Sequence, residues 1–412
     1  MRILLAAIYP YVFILLYLII PFDEYVRALP NILIAILVIA FPFLITKNDF
    51  KKLLKKPTLL LVSFIVFLLA NSLFQGRFEQ DFGYIKTMII PIGIVILYLP
   101  IADFKKLKKA IIFSSFIAMV YTFIQFLILI NQNSEVTIAF FQETVDALLI
   151  DRIYVGLLCV LSILISYRSL TKEYHPDNKY YFVSIIVNIL YLLLVMSITA
   201  LVILFVLFVL RQFYGKDKKL RLLITSLVLI AIFITGYLKY QSAFEDLLQE
   251  SRDVSKVTYT ESTLPLGYRA VIWDCVSKIS DEGSIGLFGI GFKETKNRLV
   301  SCYNSEIEDN ATKQNFINKR FNTHNQYVDF YISAGPISLL LFIGILLFLF
   351  IKNQKKYFPT ALLITFVLFG LAENYFHRQV GAYYVGFILV ILLINNTALT
   401  SSELKESNTD NS

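Results

Sequence analysis

The chain holds three histidines, and one of them, His324, stands in Thr323-His324-Asn325-Gln326, just ahead of an apolar segment that opens near Tyr327. Histidine exchanges a proton near neutral pH, so at the outer end of a membrane helix it can take one from an incoming hydroxyl. The same position suits a bystander at headgroup level, with Thr323 and Asn325 capping the helix; position alone leaves both readings open. Arg269 and Trp273, in Tyr268-Arg269-Ala270-Val271-Ile272-Trp273, lie four apart. On a helix they share a face, so the guanidinium could stack on the indole and grip a diphosphate with its fork of donors. The alternative is an ordinary surface arginine on an amphipathic loop helix. The stretch Glu373-Asn374-Tyr375-Phe376-His377-Arg378-Gln379 fills the polar turn between the last two apolar segments, and Arg152 follows an acidic gap with Glu135, Glu143, Asp146 and Asp151. These groups could converge on a lipid headgroup, or each could be an interfacial anchor.

Other chemistries lack their residues. No Asp-x-Asp pair occurs, so a metal-bound diphosphate held by paired carboxylates has no support, and Glu306, Glu308 and Asp309 read as solvated loop. Gly286-Leu287-Phe288-Gly289-Ile290-Gly291 is not a dinucleotide fingerprint; it reads as a tight turn returning the chain to the membrane surface. With no phosphate loop, no metal and no cofactor implied, the energy for any reaction must arrive in the substrate.

The elements that position these residues are apolar helices. The sequence is 57% apolar, 15% aromatic and only 17% charged, with a mean hydropathy of +0.67. Apolar segments fall at 3–20, 30–46, 58–74, 84–100, 110–130, 152–167, 181–210, 222–238, 327–351, 357–372 and 380–396. The first could be a signal peptide, but no small-x-small site follows it, so a retained helix is expected. The run 181–210 would make a helix of about 45 Å, longer than a bilayer core of about 30 Å. Basic residues flank it on both sides, which predicts a hairpin turning near Met196-Ser197-Ile198-Thr199 and twelve helices in all. Alternate gaps then carry 20 Lys and Arg against 4 (Arg27, Arg77, Arg152 and Arg378), which puts both termini in the cytoplasm. The net charge of +8 is therefore an orientation signal, and no nucleic-acid partner is expected.

The resulting plan is an all-α polytopic membrane protein. Helices one to nine fill 1–238, an external polar loop spans 239–325, helices ten to twelve fill 326–396, and 397–412 is a disordered tail. The loop holds 11 basic and 12 acidic residues, so specific placement rather than bulk charge must do any work. From Tyr268 to Ile279 the apolar residues recur with helical spacing. Cys159 reads as core, while Cys275 and Cys302 share the loop either as a pair or as two free thiols. No repeat and no two-half symmetry is evident.

This ordered set resembles the O-antigen ligase and polymerase superfamily. Arg269 with Trp273 is similar to its loop element, and Gly286 to Gly291 to its glycine-rich turn. Thr323-His324-Asn325-Gln326-Tyr327 followed by Gly335 and Gly344 resembles its His-Asn signature, and Glu373 with Arg378-Gln379-Val380-Gly381 its final outer turn. The resemblance implies transfer of a glycan from an undecaprenyl diphosphate carrier to a sugar hydroxyl of lipid A core or a growing glycan. The reaction would occur at the periplasmic face of a bacterial inner membrane, within reach of membrane lipid. His324 would activate the acceptor and Arg269 would stabilise the leaving diphosphate, with Trp273, Asn325 and Glu373 around them. One departure stands out: the family often has a basic residue at the outer turn between helices seven and eight, where this chain reads Ser197-Ile198-Thr199-Ala200. Arg152, Arg320 and Arg378 are the candidates to replace it. A polymerase that extends lipid-linked repeats has the same layout. A transporter or glycolipid flippase is the alternative from another class; it predicts ionisable residues at mid-membrane and short external loops, against the pattern here.

Overall fold

The computed structural model describes residues 2–23, 25–53, 56–101, 104–132, 148–171, 175–214, 265–281, 283 and 285–394, with four isolated positions from 221 to 226. Most of the expected segment 222–238, the start of the polar loop, the acidic residues Glu135, Glu143 and Asp146, and the tail thus lie outside the described residues. Among the described residues the fold is all-α. In chain order the helices are α1 (Arg2–Ile19), α2 (Leu29–Leu44), α3 (Lys47–Leu53), α4 (Lys56–Phe74), α5 (Phe78–Tyr98), α6 (Phe104–Gln132), α7 (Arg152–Ser169), α8 (Asn178–Val195) and α9 (Ile198–Gln212). After the polar loop begins come α10 (Pro265–Asp281), α11 (Phe292–Glu306) and α12 (Asn310–Lys319), then α13 (Gln326–Asn353), α14 (Tyr357–Ala372) and α15 (Gln379–Leu393). Among the described residues, seven helices (α1, α4, α5, α6, α7, α8 and α13) are long and apolar enough to cross a membrane, and α2, α9, α14 and α15 are shorter apolar helices.

The long run 181–210 breaks where the charge pattern placed a turn. Met196 adopts left-handed backbone (φ 51°), its N–H reaching back to the Leu192 and Leu193 carbonyls, and α9 starts at Ile198. Both α8 and α9 then pack on α7. That helix is buried without interruption from Tyr154 to Ser166, so it is apolar on every face, as a helix enclosed by others must be. Hydroxyls tie the packing: Ser115 donates to Ser162 Oγ (3.0 Å) and Ser166 to Ser184 Oγ (3.1 Å). The equally buried α15 lies along α5, where Gly386 lets Pro91 and Ile94 come close.

Helices α10 to α12 form a small cap with its own core. Val271, Ile272, Cys275 and Ile279 of α10 meet Leu299 and Tyr303 of α11, Phe316 of α12 and Ile332 of α13. A disulfide joins Cys275 to Cys302, resolving the two alternatives in favour of the pair. The acidic cluster proves to be more than solvated loop. Asp309 caps α12 by accepting from the Thr312 N–H (2.8 Å), hydrogen bonds from the Thr312 hydroxyl and N–H hold its carboxyl below the usual range, and Glu306 pairs with Lys278.

The cap is fastened to α13 through a break in that helix. Gly335 has φ 87° and ψ 168°, and Pro336 has no N–H to return to Ile332. The carbonyls so released find donors in the glycine-rich turn: Ile290 N–H donates to Ile332 O (2.9 Å) and Gly291 N–H to Ser333 O (2.8 Å). Arg77, ahead of α5, clamps the turn from the other side by donating to Gly289 O (2.6 Å) and Phe288 O (3.0 Å). The tight turn is real, and its glycines allow the close backbone approach: a Cβ on Gly289 would meet backbone of residues 333–335.

Candidate functional site

Two short segments, 323–329 at the head of α13 and 372–378 between α14 and α15, interlock at one end of the bundle. Asn325 caps α13, its side chain accepting from the Tyr327 (3.0 Å) and Val328 (3.2 Å) N–H groups. Thr323 does not share that work: its hydroxyl pairs with the Asn374 side chain (2.8 Å) and donates to Asn325 O. His324 sits in left-handed backbone (φ 44°), sparsely populated for a residue with a Cβ, with its N–H held by Asn322 Oδ1 (3.0 Å). Its ring is thereby placed so that Nδ1 lies 3.0 Å from Glu373 Oε2. A second pair runs the other way, His377 Nε2 to Asp329 Oδ2 at 2.8 Å. Each segment thus supplies one histidine and one carboxylate, and the Phe376 N–H donates to Gln326 Oε1 between them (3.2 Å).

The cap contributes the arginine. Arg269 donates from Nη2 to Ala372 O (3.0 Å), one residue before Glu373. Burial pulls its guanidinium below the ordinary arginine range, and the Glu373 carboxylate opposes that. Trp273 takes a different partner, its indole N–H donating to Thr323 O (3.2 Å). In place of the possible Arg269–Trp273 stack there are two separate bonds, one to each interlocking segment. The four-residue spacing did place both on one face; the two backbone acceptors then divided them.

Arg269 and His324 share Glu373 as a neighbour. Arg378 reaches the same neighbourhood by another route. It pairs with Asp151 and lies over the Tyr154 ring (5.3 Å), and Tyr154 is in turn within electrostatic reach of Glu373. Arg152 opens α7, its carbonyl accepting from Ser197 Oγ (3.4 Å), which brings the turn at 196–197 to this same end of the bundle. Arg320 stands apart: it ends α12 in left-handed backbone and donates to Asn297 Oδ1 (3.0 Å).

Two participants, Asp329 and Tyr154, were not singled out in the sequence, and a third, His377, was named without a partner. Asp329 is a lone carboxylate one turn into an apolar helix, a signal in its own right. His377 was visible in its polar turn, but nothing in the sequence gave it a partner. Tyr154 is fully buried with a hydroxyl that has no hydrogen-bond partner, and no pattern in α7 separates it from the core tyrosines. Among the described residues no group of three or more His, Cys, Asp or Glu side chains could hold a metal ion.

The site is thus an imidazole–carboxylate pair beside a half-buried guanidinium, assembled from a cap and two membrane-helix ends. Such a set can accept a proton and steady a developing anion. In comparisons with known proteins, no family model and no curated protein sequence matches the chain.

Proposed function

We propose that this chain is a membrane glycan transferase of the O-antigen ligase type, with twelve spans, both termini cytoplasmic and the cap outside. It moves a glycan from an undecaprenyl diphosphate carrier to a sugar hydroxyl of lipid A core or a related acceptor. The observation that carries the proposal is the His324–Glu373 pair with Arg269 alongside. With Nδ1–H directed at Glu373, the imidazole presents Nε2 as a base. The acceptor hydroxyl gives its proton to Nε2, its oxygen bonds to the anomeric carbon, and the bond from that carbon to the diphosphate oxygen breaks. The departing diphosphate takes the electron pair, and Arg269 offsets the charge that builds there. Arg378 and Arg152, at the same end of the bundle, are assigned to the carrier's diphosphate and headgroup region, and Trp273 and Asn325 to shaping the cleft.

The test is glycan transfer in membranes supplied with lipid-diphosphate-linked glycan, with or without lipid A core, comparing the parent with His324→Ala at equal abundance. Core glycosylation by the parent and its loss in the variant is the expected result. Elongation of the carrier-linked glycan alone would make the protein a polymerase, and transfer unaffected by the substitution would remove His324 as the base.

A further inference from the structure

A second cluster lies beside the site and takes no part in the proposed chemistry. Tyr84 of α5 stacks on Phe292 (centroids 5.8 Å apart, planes 23°) and sits 5.0 Å from the His377 ring. Lys296 is one helical turn beyond Phe292 and so shares its face of α11. Arg320 is tethered to Asn297, the next residue, and lies within electrostatic reach of both Lys296 and Tyr84. The carboxylates nearest Tyr84 are already engaged. Asp329 pairs with His377, while Asp81 accepts from the Lys293 N–H (3.2 Å) and lies 3.8 Å from Arg77. Among the described residues no carboxylate pairs with Lys296 or Arg320, although burial and the neighbouring guanidinium both push the Lys296 ammonium below its ordinary range.

Two neighbouring cations, one half-buried, repel each other with no carboxylate among the described residues to offset them, and the Tyr84 ring, near Arg320, suits the apolar face of a sugar. We propose that Lys296, Arg320 and Tyr84 form a subsite for an anionic sugar residue of the glycan, one bearing a carboxylate or a phosphate. The substrate class rests on the glycan-transfer reading; the anion requirement rests on the cluster itself.

The test is calorimetric titration of the full chain in detergent. The ligands are a tetrasaccharide alternating glucuronate with N-acetylglucosamine, its carboxyl-reduced neutral form, glucose 1-phosphate, and inorganic phosphate. At least one anionic sugar should bind, about ten-fold or more tighter than the neutral tetrasaccharide and than phosphate. The tighter of the two anionic sugars names the group. Lys296→Gln with Arg320→Asn should lose that preference without lowering the melting temperature, because asparagine tolerates left-handed backbone and a repulsive pair is removed. Equal binding of the neutral sugar, inorganic phosphate matching the sugars, no binding of either anionic sugar, or indifference to the double variant would each overturn the subsite. His324→Ala should keep the binding while losing transfer. A parent that binds the acidic sugar yet transfers no lipid-linked glycan defeats the transferase reading and leaves the subsite standing.

Discussion

Replacing Glu373 by glutamine tests the core of the proposed chemistry with the least structural disturbance. The amide keeps the side chain's shape and an oxygen for His324 Nδ1–H, but removes the charge that steadies the imidazolium formed when the base takes its proton. At the observed 3.0 Å, two unit charges interact by about 1.4 kcal/mol in bulk water and about 5.5 kcal/mol at an effective dielectric near 20. With the His324 side chain 23% exposed and Glu373 only 7%, the environment lies between these limits. A loss of about 3 kcal/mol of transition-state stabilisation is therefore expected, a fall in kcat of about 160-fold. KM should change little, since the charge appears only as the reaction proceeds. The assay is single-turnover transfer in proteoliposomes, with the melting temperature measured alongside. Parental kcat in a variant of parental stability would refute the dyad and return His324 to a positional role.

Gly335→Ala should destabilise the protein by about 1–3 kcal/mol from backbone strain alone, before the clash of its Cβ with Leu287 backbone is added. Gly344→Ala, with nothing within 4 Å of the new atom, should leave thermal unfolding unchanged or slightly improved. Breaking the Cys275–Cys302 bridge, which spans 27 residues, should cost about 3.5 kcal/mol by chain entropy, read as a lower melting temperature on reduction; an unmoved transition would contradict it. Asp329→Ala should cost about 1–3 kcal/mol by leaving the buried His377 imidazole without its hydrogen-bond partner, and the further change His377→Phe should recover part of that in a double-mutant comparison. Arg77→Ala should release the Phe288 and Gly289 carbonyls and speed amide exchange across 286–291 while exchange within α7 stays as it was.

Much of the helical layout was legible in the sequence because lipid imposes length and apolarity on each span. The break at Met196–Ser197 followed from charge on both flanks of a run too long for one crossing. The site was legible only as a set of residue types. His324, Arg269 and Glu373 were nameable, but their meeting depends on a left-handed turn at His324 and on one backbone carbonyl, Ala372 O, and neither leaves a periodic trace. The same limit explains the Arg269–Trp273 stack that does not form: spacing fixes a shared face, while partners are set by whatever the facing segment offers. Asp309 shows it on a smaller scale, since a capping aspartate and a solvated one look alike until the next helix is placed.

The break in α13 also bears on how the protein is made. Two carbonyls in the second turn of this long apolar helix have their donors in residues 290 and 291, which leave the ribosome earlier but belong to the cap. In hydrocarbon an unpaired peptide group costs several kcal/mol. The hydrogen bonding of this helix is therefore complete only once the preceding segment has folded back onto it. A chain whose cap fails to fold would leave both carbonyls without donors, so the head of α13 and the cap are completed together.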